Sequence, residues 1–361
     1  MTKTRDSNME LLRITAMLFI LLIHATYRAL PFPDSAAIEA NATSSFLLIL
    51  SRSAFIMGVN LFVMLSGWFG IRPRLSRLTE LLFQVLFFGI FCFIVDYAIV
   101  GHSHLSVVES IKSFFLLREG TYWFIKCYLA LYLFAPILNA FVEQATKRQF
   151  FYVLCSLFGF QFYFGWIFEA TTWLRAGYSL PFFMCLYLLA RYMRVHQPRF
   201  AQFNRKTDLA IYLGIVSTVT IMAFTLRHFN LGGFLFFYNS PTTILSAAYL
   251  LLFFSKIRFN SKVVNWLAVS TVAIYLTHSS DFLARYYDGA IRQWFYTETR
   301  PVFILYVTML IIFVFFGSIL IDKVRQRIWK VIERFLQSVQ SIGGKSIYSH
   351  PSDGSSGSKP R

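Results

Sequence analysis

The sequence predicts an all-α integral membrane protein, a bundle of about ten transmembrane helices with both termini in the cytoplasm. Of its 361 residues, 57% are hydrophobic and only 14% are charged, whereas a soluble domain carries about 25% charged residues. The apolar residues come in runs of about 18 or more, which is the length of a transmembrane helix. Basic residues fall in the short stretches between these runs, as the positive-inside rule expects. The net charge of +17 therefore does not indicate a nucleic-acid partner.

Ten apolar segments, taken in chain order, are long enough to be predicted as spans. They are Met9–Tyr27, Phe46–Trp68, Leu78–Val100, Trp123–Phe141, Phe150–Phe168, Trp173–Ala190, Leu209–Leu226, Phe234–Phe254, Val263–Phe282 and Val302–Ile321. Alternate loops carry about 20 basic residues on one side and about 9 on the other, which places both termini in the cytoplasm. The polytopic domain is thus residues 1–321, followed by a basic amphipathic helix at 322–340 on the cytoplasmic membrane surface and a Gly/Ser-rich, disordered tail at 341–361.

The first span carries three ionisable residues, Glu10, Arg13 and His24. A charge in mid-bilayer costs about 2.5–3.5 kcal/mol on insertion scales, so such residues face protein or water and usually have a task. From Arg13 to His24 is a step of eleven residues, which places both side chains on one helix face about 16 Å apart along the axis. Glu10 lies within about 60° of the same line. We interpret the three as candidate catalytic residues on one polar stripe.

A neutral histidine within a membrane can take a proton from an alcohol and pass it on, which is the functional interpretation of His24. The alternative is a histidine that only makes a hydrogen bond between helices. For Arg13 and Glu10 the alternative is a buried ion pair, or an arginine that extends toward the membrane surface.

Three arginines, Arg72, Arg74 and Arg77, follow the second span. Arginine guanidinium groups match phosphate oxygens in geometry, so this cluster is a candidate site for the phosphates of a nucleotide-linked donor. It is equally explained as charge that sets membrane topology.

Three further polar residues lie in apolar surroundings and are candidate substrate-binding residues: Asn60, Lys126 and His278. For Ser66 and Gly67, which share the apolar segment of Asn60, the alternative is close helix packing. Lys126 has the alternative of extending to the interface, and His278 that of an interfacial, structural histidine. The four cysteines lie inside apolar runs without C-x-x-C spacing, so no metal site is predicted.

Several of these segments together resemble a known family. The run R-I-T-A-M-L-F-I-L-L-I-H, the element V-N-L-F-V-M-L-S-G-W-F-G, Arg74-Leu-Ser-Arg77, Y-W-F-I…Y-L…P-I-L-N and A-I-Y-L-T-H are similar, in this order, to motifs of the membrane-bound acyltransferase family 3. The resemblance implies transfer of an acyl group, usually acetyl from acetyl-CoA, to a hydroxyl of a cell-surface or lipid-linked glycan. It implies no permanently bound cofactor.

By motif position the resemblance makes His24 and Arg13 the essential pair, and Arg74 and Arg77 candidates for holding the donor. Asn60 stands where many members have aspartate, so an ionic role there does not carry over. The expected location is the plasma membrane of a bacterial-type cell.

We therefore expect a membrane O-acyltransferase, most simply an O-acetyltransferase. A glycan transporter, flippase or export component also suits intramembrane arginine and histidine, and a structural subunit of a glycan synthase is a third option. A gain of acyl mass on the glycan separates the first from the others.

Overall fold

A computed structural model describes residues 6–169, 174–226 and 232–346, and within these ranges all regular structure is helical. The helices of the first half are α1 (Ser7–Ile23), α2 (Ser35–Ala40), α3 (Ala42–Phe55), α4 (Gly58–Phe69), α5 (Leu75–Val100), α6 (Val107–Phe114), α7 (Trp123–Gln144) and α8 (Lys147–Gln161). Those of the second half are α9 (Leu180–His196), α10 (Arg205–Thr225), α11 (Gly232–Leu235), α12 (Pro241–Ser255), α13 (Lys262–Ala268), α14 (Thr271–His278), α15 (Ala284–Thr297) and α16 (Arg300–Ser346). Short π-helical segments extend α1 over His24–Arg28 and α8 over Phe162–Ile167.

Within the described residues, seven helical segments are long and apolar enough to cross a bilayer, fewer than the ten predicted spans. They are Ser7–Arg28, Ala42–Phe69, Leu75–Val100, Trp123–Gln144, Lys147–Ile167, Arg205–Thr225 and Arg300–Phe335. The other three predicted spans correspond to α9, α12 and the interrupted pair α13–α14. Helix α9 has 17 residues and α12 has 15, and both are shorter than the roughly 20 residues of a simple span. The count of ten stays a prediction.

Helix α1 lies at the centre of the bundle and packs against α3, α4, α12, α13 and α14. Most of its apolar residues are buried, and Leu12, Ala16 and Leu21 are fully so. Helix α4 packs in turn against α9, and Gly67 makes this approach possible because a Cβ there would lie 2.8 Å from Tyr187 Cα. Small residues serve this purpose at membrane helix interfaces, where backbones approach closely.

Polar contacts join the beginning of α1 to other helices at one end of the bundle, which we call the N-terminal end. Ser7 donates to Asn265 Oδ1 at 3.0 Å, and Asn8 donates to the Phe254 carbonyl at 2.9 Å. Gln326 of α16 donates to Ser270 Oγ at 3.2 Å, close to the same region. The beginning of α1 and the part of α16 around Gln326 thus lie at one end of the bundle. That this end faces the cytoplasm stays a prediction.

Helix α16 continues without a break past residue 321, where the sequence suggested a separate surface helix. Asp322 is fully buried and accepts hydrogen bonds from Gln84 at 3.0 Å and from Arg325 at 2.7 Å, which anchors this part of α16 to α5. Placement of the segment on the membrane surface stays a prediction. Residues 347–361 of the predicted disordered tail lie outside the described residues.

Candidate active site

His24 lies where the first helix changes from α to π geometry. The Ala29 N–H donates to the His24 carbonyl at 3.0 Å, a five-residue step. Single π turns inside α-helices are rare and occur frequently at functional sites. The C-terminal end of α1 therefore carries both the predicted histidine and a local change of helix geometry.

The His24 ring faces the ring of His278, which the sequence placed 254 residues away. His24 Nδ1 and His278 Nε2 are 2.9 Å apart, and His278 Nδ1 is 2.6 Å from the Ile274 carbonyl. A carbonyl only accepts, so His278 Nδ1 carries a proton, and in a neutral ring its Nε2 must accept from His24 Nδ1–H. His24 Nε2 is then the basic nitrogen, and it makes no hydrogen bond within the described part of the chain.

Arg28 supports this pair from the last position of the π turn. Its guanidinium pairs with Asp288 at 2.7 Å and donates to the His278 carbonyl at 3.1 Å and to Ser279 Oγ at 3.4 Å. Burial raises the pKa of the Asp288 carboxyl, while its hydrogen bond with Arg28 pulls that pKa down. Arg28 thus connects α1, α14 and α15 around the histidines.

Arg52 fixes the chain that leaves the π turn. Its side chain is fully buried, and it donates to the carbonyls of Thr26 at 2.6 Å, Leu30 at 2.9 Å and Pro31 at 2.9 Å. The last carbonyls of a helix lack partners inside the helix. The arginine supplies these partners, so the geometry of the π turn is held from outside the helix.

A wide cavity of about 370 Å³ opens beside His24, on the side away from the N-terminal end. Six of its lining residues are tyrosines or tryptophan: Tyr27, Tyr122, Trp123, Tyr178, Tyr238 and Tyr275. Trp123 packs on Tyr178 with ring centroids 4.4 Å apart, and on Tyr238 at 5.7 Å. Such walls combine large flat apolar faces with polar tips.

Two lining residues of the wide cavity have backbone angles that non-glycine residues rarely adopt. Tyr122 has φ +44° and Ala176 has φ +55°. Each such residue costs about 1–3 kcal/mol, and strain of this kind clusters at functional sites. Tyr122 is held in place by its hydroxyl, which donates to the Leu276 carbonyl at 2.6 Å.

A second, narrow cavity of about 20 Å³ adjoins His24 on the side toward the N-terminal end. It is lined by Met17 and Ile20 of α1 and by residues of α4, α7 and α14. Four residues line both cavities: His24, Trp123, Tyr238 and Tyr275. His24 therefore stands in the wall between a wide space and a narrow one.

Arg13 lies three turns before His24, with its side chain 30% exposed, and its Nη1 is 2.5 Å from Glu10 Oε2. The ion pair between Arg13 and Glu10, which was the alternative to a catalytic role, is present, and the catalytic role of both residues stays a prediction. The structure does not bring Arg13 into either cavity. Any direct role of Arg13 toward a substrate therefore concerns the part of that substrate that lies toward the N-terminal end.

The arginines Arg72, Arg74 and Arg77 are all exposed at the N-terminal end, and the backbone that carries them is held firmly. Tyr132 accepts from the Arg74 N–H at 2.7 Å, Tyr187 accepts from the Ile71 N–H at 3.0 Å, and Asn139 donates to the Ile71 carbonyl at 2.7 Å. These bonds fix the turn while leaving the guanidinium groups available.

Two arginines of α9 lie at the same turn and were assigned only as loop charge from the sequence. Arg191 Nη1 would lie 3.3 Å from a Cβ at Gly70, and Arg194 donates to the Trp68 carbonyl at 2.7 Å. Burial, together with the charge of Arg191, lowers the pKa of Arg194. Within the described residues, no salt bridge is formed by any of the five arginines, Arg72, Arg74, Arg77, Arg191 and Arg194. The buried Nε of Arg191 has no hydrogen-bond partner there. The charge of Asp6 acts on Arg194 and raises its pKa in part, but the five arginines keep a clear excess of positive charge, which favours a polyanion.

Comparison with known protein families decides the class of the protein. A family model described as an acyltransferase domain, that of acyltransferase family 3, matches residues 6–323. The chain belongs to acyltransferase family 3. No curated protein and no solved structure matched the chain significantly. The family 3 match spans every residue of both cavities and all five arginines.

This family 3 acyltransferase is an enzyme and a multi-pass membrane protein. Of its predicted site residues, the structure brings together His24 and His278. Asn60 is buried and donates to the Tyr238 carbonyl at 2.8 Å, so it supports a wall shared by both cavities without lining either. Lys126 donates to the Arg118 carbonyl at 2.6 Å and lines neither cavity.

The candidate active site also contains residues that sequence reasoning missed. Arg28, Arg52, Arg191 and Arg194 were counted as loop charge, although each makes specific contacts at the site. The close spacing of Arg28 after His24 was the available signal for the first. The aromatic residues of the wide cavity come from distant segments and had no common signal.

Proposed function

We propose that this acyltransferase moves an acetyl group from acetyl-CoA to a hydroxyl of a cell-surface or lipid-linked polysaccharide in a bacterial-type plasma membrane. The observation that carries the proposal is the position of His24, with Nε2 unpaired, in the wall between two cavities. One cavity is large enough for part of a glycan, and the other lies on the side of His24 toward the beginning of α1, where Met17 and Ile20 line it.

The donor would lie with its phosphates on Arg72, Arg74 and Arg77 and its thioester arm along α1 toward His24. Arginine binds phosphate oxygens through paired, charge-assisted hydrogen bonds. Arg13, between the cluster and His24, would contact the middle of the donor. The Arg13–His24 separation of about 16 Å along the axis sets the depth that the thioester arm must reach.

The acceptor would bind in the wide cavity, where aromatic faces can pack on the apolar faces of sugar rings. His24 Nε2 takes the proton of an acceptor hydroxyl while that oxygen attacks the thioester carbonyl carbon. The carbon–sulfur bond then breaks, and the leaving thiolate takes the proton from His24. The products are an O-acetyl ester and free coenzyme A, and His24 returns to its starting state. His278 would keep His24 in the tautomer that leaves Nε2 basic.

The test uses membranes that contain the protein, radiolabelled acetyl-CoA and a glycan extract of the host. We expect label in an alkali-labile glycan ester with wild type and a loss of at least about 100-fold with His24→Ala, the usual contribution of a general base. The control is Thr26→Val, two residues away, whose hydroxyl only returns to its own helix at the Leu22 carbonyl. Full acyl transfer by His24→Ala at normal protein levels would refute the assignment. A glycan exported without gain of mass would favour the transporter instead.

A further inference from the structure

The narrow cavity beside His24 has the size of a single small group. Its volume of about 20 Å³ compares with the 10–15 Å³ or so that one water molecule needs by the same kind of measure. This space matches a small group such as a methyl, and each further methylene would need additional room.

Its lining is apolar apart from the residues it shares with the wide cavity. The residues that line only the narrow cavity are Met17, Ile20, Val59, Phe62, Phe124 and Val272. Among the described residues no lysine or arginine lines it, so a carboxylate at the end of an acyl chain would find no charged partner among them, which is costly. An uncharged group is favoured.

Its walls cannot move apart easily, because α1 and α4 are in close contact at this level. A Cβ at Gly58 would lie 2.9 Å from the Ala16 carbonyl and 3.0 Å from Ile20 Cγ1. Met17, Ile20 and Val59 are each at most 5% exposed. Packed interiors of this density respond to a change of even one methylene.

We propose that the narrow cavity is the acyl pocket, which receives the methyl of the donor's acetyl group and restricts transfer to this shortest acyl chain. The inference rests on the proposed function and adds the residues that set acyl length. With the methyl in this pocket, the thioester carbonyl lies beside His24 and faces the wide cavity from which the hydroxyl attacks. Met17, Ile20 and Val59 are then specificity-determining residues.

The experiment compares acetyl-, propionyl-, butyryl- and succinyl-CoA as donors for wild type, Met17→Ala and Met64→Ala in membranes. Met64 is a fully buried methionine of α4 that lines neither cavity, so its variant loses the same atoms elsewhere in the core. One methylene in an apolar pocket is discriminated by about 10–200-fold. We expect this preference for acetyl over propionyl in wild type and Met64→Ala, and a preference at least tenfold smaller in Met17→Ala through faster propionyl transfer.

An unchanged acetyl-to-propionyl ratio in folded Met17→Ala, or equal transfer of acetyl and butyryl groups by wild type, would overturn the pocket assignment and leave the proposed function standing. Absence of transfer from every donor by wild type would overturn the proposed function itself. If Met17→Ala does not accumulate, Val59→Ala tests the same wall from α4 with the same criteria.

Discussion

The contact between His24 and His278 leads to a test that separates orientation from chemistry. In the structure His24 Nδ1–H donates across 2.9 Å to His278 Nε2, and His278 Nδ1–H donates to the Ile274 carbonyl. The amide nitrogen of an asparagine at 278 can replace only the second bond. A glutamine is one carbon longer, so its amide oxygen can reach His24 and accept the hydrogen bond from Nδ1–H. His278→Asn and His278→Gln are therefore a matched pair.

Loss of the acceptor leaves a buried donor unpaired, which costs about 1–3 kcal/mol. This cost falls on the active tautomer of His24 and lowers its population by about 5–150-fold. Ser279 Oγ, 3.4 Å from His24 Nδ1, can replace part of the lost bond. We therefore expect a drop in kcat of about tenfold for His278→Asn and less than about fivefold for His278→Gln.

The assay measures initial rates of acetyl transfer at equal amounts of membrane protein while donor concentration is varied. A positioning role lowers kcat and leaves the KM for acetyl-CoA nearly unchanged, because the lost interaction acts on the reacting nitrogen. Thermal unfolding of both variants in detergent controls for loss of the buried ring. Wild-type kcat in a stably folded His278→Asn enzyme would refute the reasoning, as would equal losses in the two variants.

Three further predictions concern other parts of the molecule. Arg191→Ala should weaken coenzyme A binding by about 10-fold or more, because hydrogen bonds to charged groups contribute about 1.5–3 kcal/mol. Calorimetric titration of the purified protein measures this affinity. An unchanged affinity would exclude Arg191 from the donor site. Asp288→Asn should lower kcat by about 3–10-fold without affecting donor affinity, because Arg28 loses a mostly buried ionic partner, 21% exposed, in a pair worth about 1 kcal/mol. Rates and binding measured on the same sample decide. Gly67→Ala should destabilise the fold by about 1–3 kcal/mol through overpacking against Tyr187, which lowers the unfolding temperature. The control Gly289→Ala should not lower it, because a Cβ at Gly289 meets nothing within 4 Å. Equal unfolding temperatures for the two variants would contradict the packing argument.

The helical membrane architecture could be predicted from the sequence because apolar runs and loop charge are local signals. The prediction of individual spans is limited where tertiary contacts stabilise helices that are shorter than a membrane span. Helices α9 and α12 are shorter than a simple span, and α13–α14 is interrupted at Val269–Ser270. The continuation of α16 beyond 321 depends on the buried Asp322, whose partners Gln84 and Arg325 satisfy its charge. No sequence pattern distinguishes this from a helix that leaves the bundle.

At the site, the polar stripe of α1 and the candidate residue His278 could be identified from the sequence. The contact between His24 and His278 could not. The π turn at His24 leaves no mark in composition, since it depends on Arg52 binding carbonyls 22 to 26 residues earlier in the chain. Arg28 follows the first predicted span and was assigned to loop charge, and Arg52 was counted with the loop charge although it lies inside the predicted span Phe46–Trp68. Burial distinguishes them, and burial is a property of the fold.

The wall of four residues between the two cavities has a consequence for inhibitor discovery. The wide cavity, at about 370 Å³, falls in the range of about 300–1,000 Å³ typical of sites that hold drug-sized compounds. Under the proposed function, a compound seated there would compete with the acceptor and leave the donor's proposed binding place untouched. High intracellular coenzyme A levels would then not displace it, which is the usual obstacle for compounds that imitate an abundant cosubstrate.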